Sequence, residues 1–317
     1  MRPETESRLI QSAFDQTPPE DGFTYEKRDD FVETPSGIRA DIAVVLSGGG
    51  MKCSYTVGAL VALLEKFGFE DPSLMIAGSG SSGTASYFIA GQFYDMVCAW
   101  ANALSNKDML NFLRWRPLGV DHLIDDIFKK EYEIEIQKLR QSLSLLMIPA
   151  TDYDTAEIKH FCPQNGKGDF FEMLKATMAM PIAYRKVIEI MGARYCDTYI
   201  SSRVELNIEK ALQMGAKQVL AVDLYNPDSK SNKFFNLWKE LRLFSPVFRA
   251  QYDRNVAHQN ELKEQYEDDP RVLILKPIDP LETDTLDNDK WHLRSSIVHG
   301  HRETVESEEL ERFLTSA

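Results

Sequence analysis

A chain of 317 residues, 43% hydrophobic and 27% charged, is long enough to bury a large core and has the balance of an ordinary globular protein. Its formal charge of −13 argues against nucleic acid as the main partner, and against a strongly anionic membrane binding the whole surface. Cys53, Cys98, Cys162 and Cys196 are far apart and form no CxxC, so they read as free thiols of a reducing compartment.

The N-terminus, Met1 to Arg8, is polar with no apolar signal core behind it. No stretch approaches the ~20 apolar residues that span a bilayer. The expectation is a cytoplasmic protein whose membrane contact, if any, is peripheral. Residues 1–40 are polar and read as a loosely ordered arm with one short helix at Glu6–Phe14. The fold proper is expected over 41–317. Ile42 to Leu46 is a β-branched apolar run, hence a buried strand. Ser47 to Cys53 is a glycine turn, and Tyr55 to Phe67 a helix stopped near Gly68. Leu74 to Ala77 is a second buried strand, followed by the Gly/Ser run 78–83 and a helix over Thr84–Ala90.

Gln92 to Arg140 is mostly helical and amphipathic. Within it lies Leu110 to Leu118, rich in large apolar groups, and a helix at Val120–Phe128. A strand is expected at Leu143–Ala150 and a turn at Thr151–Thr155. A helix over Phe170–Met180, paired strand segments near 187–197, a helix at Ile208–Met214 and a strand at Gln218–Leu224 follow. Alternating strands and helices indicate an α/β sheet covered by helices. Beyond Asn226-Pro227 the character changes. Lys230 to Arg254 carries six cations against Glu240 and Asp253, interleaved with Phe234, Phe235, Trp238, Phe244 and Phe248. That composition suits either an interfacial helix or a packed helix with solvated charges. A strand at Arg271–Lys276 and a helix over Ser295–Leu314 complete the C-terminal extension, 226–317.

Two glycine turns carry the chemistry. Gly78 to Gly83 matches GxGxxG, but no clear strand ending in an acid follows, which weakens a dinucleotide reading. The same turn can be a nucleophile elbow. By counting alone Ser79, Ser81 and Ser82 all qualify; Ser81 is favoured because Gly83 stands at its +2 position. Simple helix capping by these serines is the bland alternative. Gly48-Gly49-Gly50 follows the other buried strand, where successive N–H groups can cradle an oxyanion. Lys52 could position or neutralise that charge.

Gly48 to Lys52 running into Tyr55–Leu60 resembles the GGGxR/K segment of patatin-like phospholipases. Ser79 to Gly83 resembles their GxSxG elbow, and Tyr195-Cys-Asp-Thr-Tyr199 their DGG/DGA motif. The resemblance runs from Asp41 to about Asp223. It departs from the family at Cys53, Ser79 and Thr198, where glycine is usual. It implies a three-layer α/β fold with a mostly parallel sheet and no cofactor. It also implies a Ser–Asp dyad, here Ser81 and Asp197, with Gly48, Gly49 and Gly50 as oxyanion hole and Lys52 in substrate positioning. The implied activity is hydrolysis of acyl esters of phospholipid or lysophospholipid. The three departures leave a catalytically weak or inactive lipid- or partner-binding relative as the alternative. None of the six histidines lies in an elbow-linked motif, and His299-Gly-His301 lacks a third metal ligand in sequence. Asp152 and Asp154 read as turn residues.

Overall fold

A computed structural model describes residues 5–18, 42–181, 183–225, 236 and 244–315. Eight strands form a mixed sheet: β1 (Ile42–Leu46), β2 (Leu74–Ala77), β3 (Leu145–Asp152), β4 (Ile158–Phe161), β5 (Ile188–Ile190), β6 (Ala193–Cys196), β7 (Gln218–Val222) and β8 (Val272–Leu275). Their order is β5-β6-β3-β2-β1-β7-β8, with β4 paired to β3. From β3 to β8 every neighbour is parallel, while β4, β5 and β6 form an antiparallel wing.

The helices are α1 (Arg8–Asp15), α2 (Cys53–Phe67), α3 (Gly80–Ile89), α4 (Phe93–Cys98), α5 (Val120–His122, running on as a wider helix to Glu131), α6 (Ile136–Gln141), α7 (Phe170–Met178), α8 (Val204–Gln213), α9 (Pro246–Glu267), α10 (Lys290–Glu306) and α11 (Glu308–Thr315). Alternation along β1 divides the core. Ile42, Val44 and Leu46 face the cluster built on α2, α3 and α10. Ala43 and Val45 face the cluster of Val204, Ile208 and Ala211 on α8, with Leu262 and Tyr266 of α9. The result is the expected three-layer α/β arrangement.

Helix α2 is apolar on every side and almost wholly buried, as a helix between sheet and second helix must be. Its outer neighbour is α10. There Gly58 faces the Ile297 carbonyl and Gly300 the Tyr55 carbonyl, so closely that a Cβ at either position would collide with backbone. Those two glycines bring α2 and α10 into backbone contact.

Several expectations change. Helix α3 begins at Gly80 rather than Thr84. Strand β4 and the extension of α9 to Glu267 carry too little period to be anticipated. The single C-terminal helix is two, parted at Ser307. Of the arm, α1 packs Leu9, Ile10, Ala13 and Phe14 into the core, while residues 19–41 lie outside the described residues. Of the segment Lys230–Arg254, residues 230–243 lie outside them too, Asn236 excepted. In its remaining part Phe244 and Phe248 stack on each other at 4.4 Å and are buried with Tyr252 and Ala156. Those two rings face inward, so this half of the segment is a packed helix rather than an interfacial one.

Candidate active site

Strands β1 and β2 are adjacent and parallel, so the loops leaving their carboxyl ends meet. The Gly78 N–H donates to the Leu46 carbonyl at 3.2 Å. A Cβ on Gly48 would lie 2.9 Å from the Cβ of Ser79, so only glycine at 48 lets the two turns touch. Ser79 follows β2 by one residue and immediately precedes α3. Its backbone sits at φ 49°, ψ −133°, a conformation that a side-chain-bearing residue adopts only under constraint. The constraint is visible: the Ser79 N–H donates to Thr177 Oγ1 at 2.9 Å, and that hydroxyl donates to the Pro149 carbonyl at 2.6 Å.

This turn aims the Ser79 hydroxyl at Asp197, with Oγ 3.0 Å from Oδ2. Asp197 ends the antiparallel wing, just after β6. Its other oxygen, Oδ1, accepts the Tyr199 N–H at 2.8 Å. Its own N–H donates to the Ala179 carbonyl at 3.0 Å, and its carbonyl accepts the Thr151 hydroxyl at 2.9 Å. Three elements thus fix one carboxylate. Burial pushes its pKa up to about 7, opposed by the Tyr199 N–H and the Ser79 hydroxyl. A carboxyl group at such a value can accept a proton near neutral pH.

Ser81 lies elsewhere. It occupies the first turn of α3, is 0% exposed, and its hydroxyl donates to the Ser47 carbonyl at 2.8 Å. The structure therefore brings Asp197 together with Ser79, and not with the serine that the GxSxG spacing favoured. Ser82 donates to the Ser79 carbonyl at 2.6 Å and is likewise internal. The signal that would have found Ser79 is the end of β2: an elbow must follow its strand directly.

The three glycines also separate. Gly50, at φ 60°, lines the pocket in front of Ser79 and Asp197 and lies under the Thr285 carbonyl. Gly48 faces Ser79, while Gly49 packs on Leu224 and Lys52. Gly80 lines the pocket as well, at the N-terminus of α3. Lys52 is not among the lining residues; its ammonium lies 3.8 Å from Asp284 and ties the turn to the 281–289 loop. Cys53 is fully buried beside Gly80 and Ser81, and burial pushes its thiol up to about 12, so it stays protonated.

The pocket contains about 430 Å³ of empty space, part of it open to solvent. Apart from the polar pair its walls are apolar, with Trp100, Leu104, Leu123, Met178 and Leu286 among them. Thr285 and Leu286 come from a loop far along the chain, held by the Met51 N–H donating to the Thr285 carbonyl at 3.1 Å. Nothing in the sequence marks that loop.

The six histidines pair away from this pocket: His122 with Asp126, His160 with Asn207, His258 with Glu209, His292 with Asp287, His299 with Glu303 and His301 with Glu65. His299 and His301 therefore face different partners. Asp279, His299 and Glu303 lie close enough to share an ion, but Glu303 already accepts from Tyr55 and from the Ile278 N–H. Asp152 caps its own turn, accepting the N–H groups of Asp154 and Thr155. No helix among the described residues is long and apolar enough to cross a membrane.

A search of the curated proteins finds no match. Among solved structures, VipD from Legionella pneumophila superposes with a TM-score of 0.52 over 87% of this chain and 67% of that one, at 14% identity, a likeness of fold. A family model described as patatin-like phospholipase matches residues 44–208, just over half of the chain. That span holds the glycine turn, the Ser79 elbow and Asp197, and with it the chain belongs to the patatin-like phospholipase family, a family of lipid acyl hydrolases.

Proposed function

We propose that the protein hydrolyses acyl esters of phospholipids or lysophospholipids with Ser79 as nucleophile and Asp197 as its base. The observation that carries this is the 3.0 Å contact between Ser79 Oγ and Asp197 Oδ2 at one end of an apolar pocket. The Asp197 carboxylate takes the Ser79 proton as Oγ attacks the ester carbonyl. In this reading the N–H groups of Gly50 and Gly80, two residues that line the same pocket, receive the oxyanion. The N-terminus of α3 adds its dipole there. The alcohol leaves with the proton from Asp197, and water then releases the acyl group from Ser79 by the same steps in reverse. An apolar wall suits a fatty acyl chain. In this reading Lys52 anchors the 281–289 loop and does not touch substrate.

An alkyl fluorophosphonate probe followed by peptide mapping tests the assignment. One adduct per chain, on Ser79, is the expected result; an adduct on Ser81, or none on folded protein, would overturn it. The base makes a second prediction. Because the Asp197 pKa is raised, the group is neutral below about pH 7 and cannot accept the proton. Turnover of a monomeric ester should fall about tenfold per pH unit below that point and level off above it. A flat profile between pH 5 and pH 8 would exclude Asp197 as the base, a window set around the value near 7.

A further inference from the structure

We propose that the hairpin tip Asn111–Arg116 is the surface by which this protein seats itself on an anionic phospholipid bilayer. The proposal rests on the lipid-hydrolase reading above and deepens it. The base of the hairpin is pinned. Leu110 and Leu118 form an antiparallel bridge, the Asn111 N–H donates to the Pro117 carbonyl at 2.8 Å, and the Gly119 N–H to Met109 at 2.8 Å. Asn106 caps the entry by accepting the N–H groups of Asp108 and Met109. Asn288, from the 281–289 loop, donates to the Leu110 carbonyl at 3.3 Å.

The tip is held in shape yet points its largest apolar groups into water. Phe112 is 68%, Leu113 97% and Trp115 77% exposed. Three large neighbours this exposed on one short, well-tied turn are not the scattered apolar residues of an ordinary surface. Cations surround them. Arg114 and Arg116 alternate with the apolar residues, and the Arg185 guanidinium lies 4.5 Å over the Trp115 ring, with Lys186 beside it in sequence. Two of these cations are paired with carboxylates, Arg114 with Asp108 and Lys186 with Asp121. On a chain of net charge −13, a basic rim around apolar groups is a local reversal.

Aromatic and aliphatic side chains within a basic fringe match the interfacial region of a bilayer whose lipids are anionic. The position matches as well. Met109 and Leu118, at the base of this hairpin, line the pocket that holds Ser79. A tip sunk among lipid headgroups therefore holds the pocket wall against the source of its substrate.

The test uses the full chain carrying Ser79→Ala, so that the bilayer is not digested, and co-sedimentation with phosphatidylcholine vesicles with and without phosphatidylserine. Binding to the phosphatidylserine vesicles is expected, with a blue shift of the tryptophan emission that is absent in Trp115→Phe. Adding Phe112→Ala, Leu113→Ala and Trp115→Ala should weaken vesicle binding by more than ~10-fold. In the Ser79 chain the same three changes should leave turnover of a monomeric short-chain ester unaltered. Vesicle binding that survives the triple change overturns the proposal. So does a parent chain that binds neither vesicle, or a Trp115 emission that does not move. If vesicles bind through the tip yet the chain with Ser79 intact hydrolyses no ester, the docking surface stands and the hydrolase reading falls.

Discussion

Ser79→Ala is expected to lower turnover of a monomeric ester by ~10⁴-fold or more, since removal of the nucleophile removes the covalent route. Ser81→Ala should retain turnover within about tenfold, because its hydroxyl serves a buried hydrogen bond and not the reaction. That bond, to the Ser47 carbonyl, holds the first turn of α3 to the strand loop carrying the glycines. Its loss should cost about 1–2 kcal/mol of stability, by leaving a buried acceptor unpaired. Asp197→Asn keeps the shape of the side chain and its N–H partner at Tyr199, but cannot take a proton. A loss of ~10²–10⁴-fold is expected, with the fold retained. Steady-state kinetics and thermal unfolding on the three variants decide the matter. An active Ser79→Ala beside an inactive Ser81→Ala would return the role of nucleophile to Ser81.

The choice between these serines shows where sequence reasoning reached its limit. Strands β1 and β2 were legible to the residue, because each is a short apolar run bounded by turn formers. The two glycine turns are legible from spacing, and Asp197, the proposed base, is marked by the family resemblance. The register of the elbow is not. Gly80, Ser81, Ser82 and Gly83 are poor helix formers, so the sequence predicts a helix start at Thr84 and favours an elbow at Ser81. In the structure those four residues form the first turn of α3, and burial overrides their propensity. Gly83 faces the Phe128 ring, and Gly80 faces the Gly50 carbonyl, Cys53 and Trp100. Small residues are needed there because neighbours from three other segments press on that turn. Among the described residues Ser79 alone combines a positive φ with a hydroxyl side chain, and it is the residue we propose for the elbow.

The pocket walls were illegible for a different reason. Leu104, Leu123, Met178 and Leu286 come from separate stretches of chain and read locally as ordinary core residues. Only the topology brings them to one edge of the sheet. Parallel β1 and β2 end at the glycine turns, and α3, α7 and the 281–289 loop converge there. The exposed hairpin tip is the reverse case. Its apolar run is visible in sequence between Leu110 and Leu118, and burial pattern alone separates Phe112, Leu113 and Trp115 in water from buried Leu110 and half-buried Leu118.

Gly78→Ala should lower turnover by ~10²-fold, the effect of shifting a catalytic group by about an ångström. The added methyl would lie 2.5 Å from Thr198 Cγ2 and 3.5 Å from Pro149 Cγ. Thr198 follows Asp197 directly and is itself buried, so the methyl is admitted by turning the Thr198 side chain in a packed site or by shifting the backbone that carries Asp197, the proposed base. The overpacking should cost about 1–3 kcal/mol of stability as well. This contact also explains how threonine is accommodated where the family resemblance leads one to expect glycine after the aspartate. The room that a glycine at 198 would leave open is filled by Cγ2, and the matching space is vacated by glycine at 78. Among the described residues Thr198 Oγ1 finds no hydrogen-bond partner, so the site accepts the residue for its methyl and not for its hydroxyl. Thr198→Ala removes both atoms. Introduced into the Gly78→Ala chain, it should restore most of the lost turnover and raise the unfolding midpoint toward that of the parent. The two changes are in contact, so a double-mutant cycle should report a coupling of about 1–3 kcal/mol. Losses that simply add would mean that Gly78 and Thr198 do not share this space, and the account of Thr198 would fail with them.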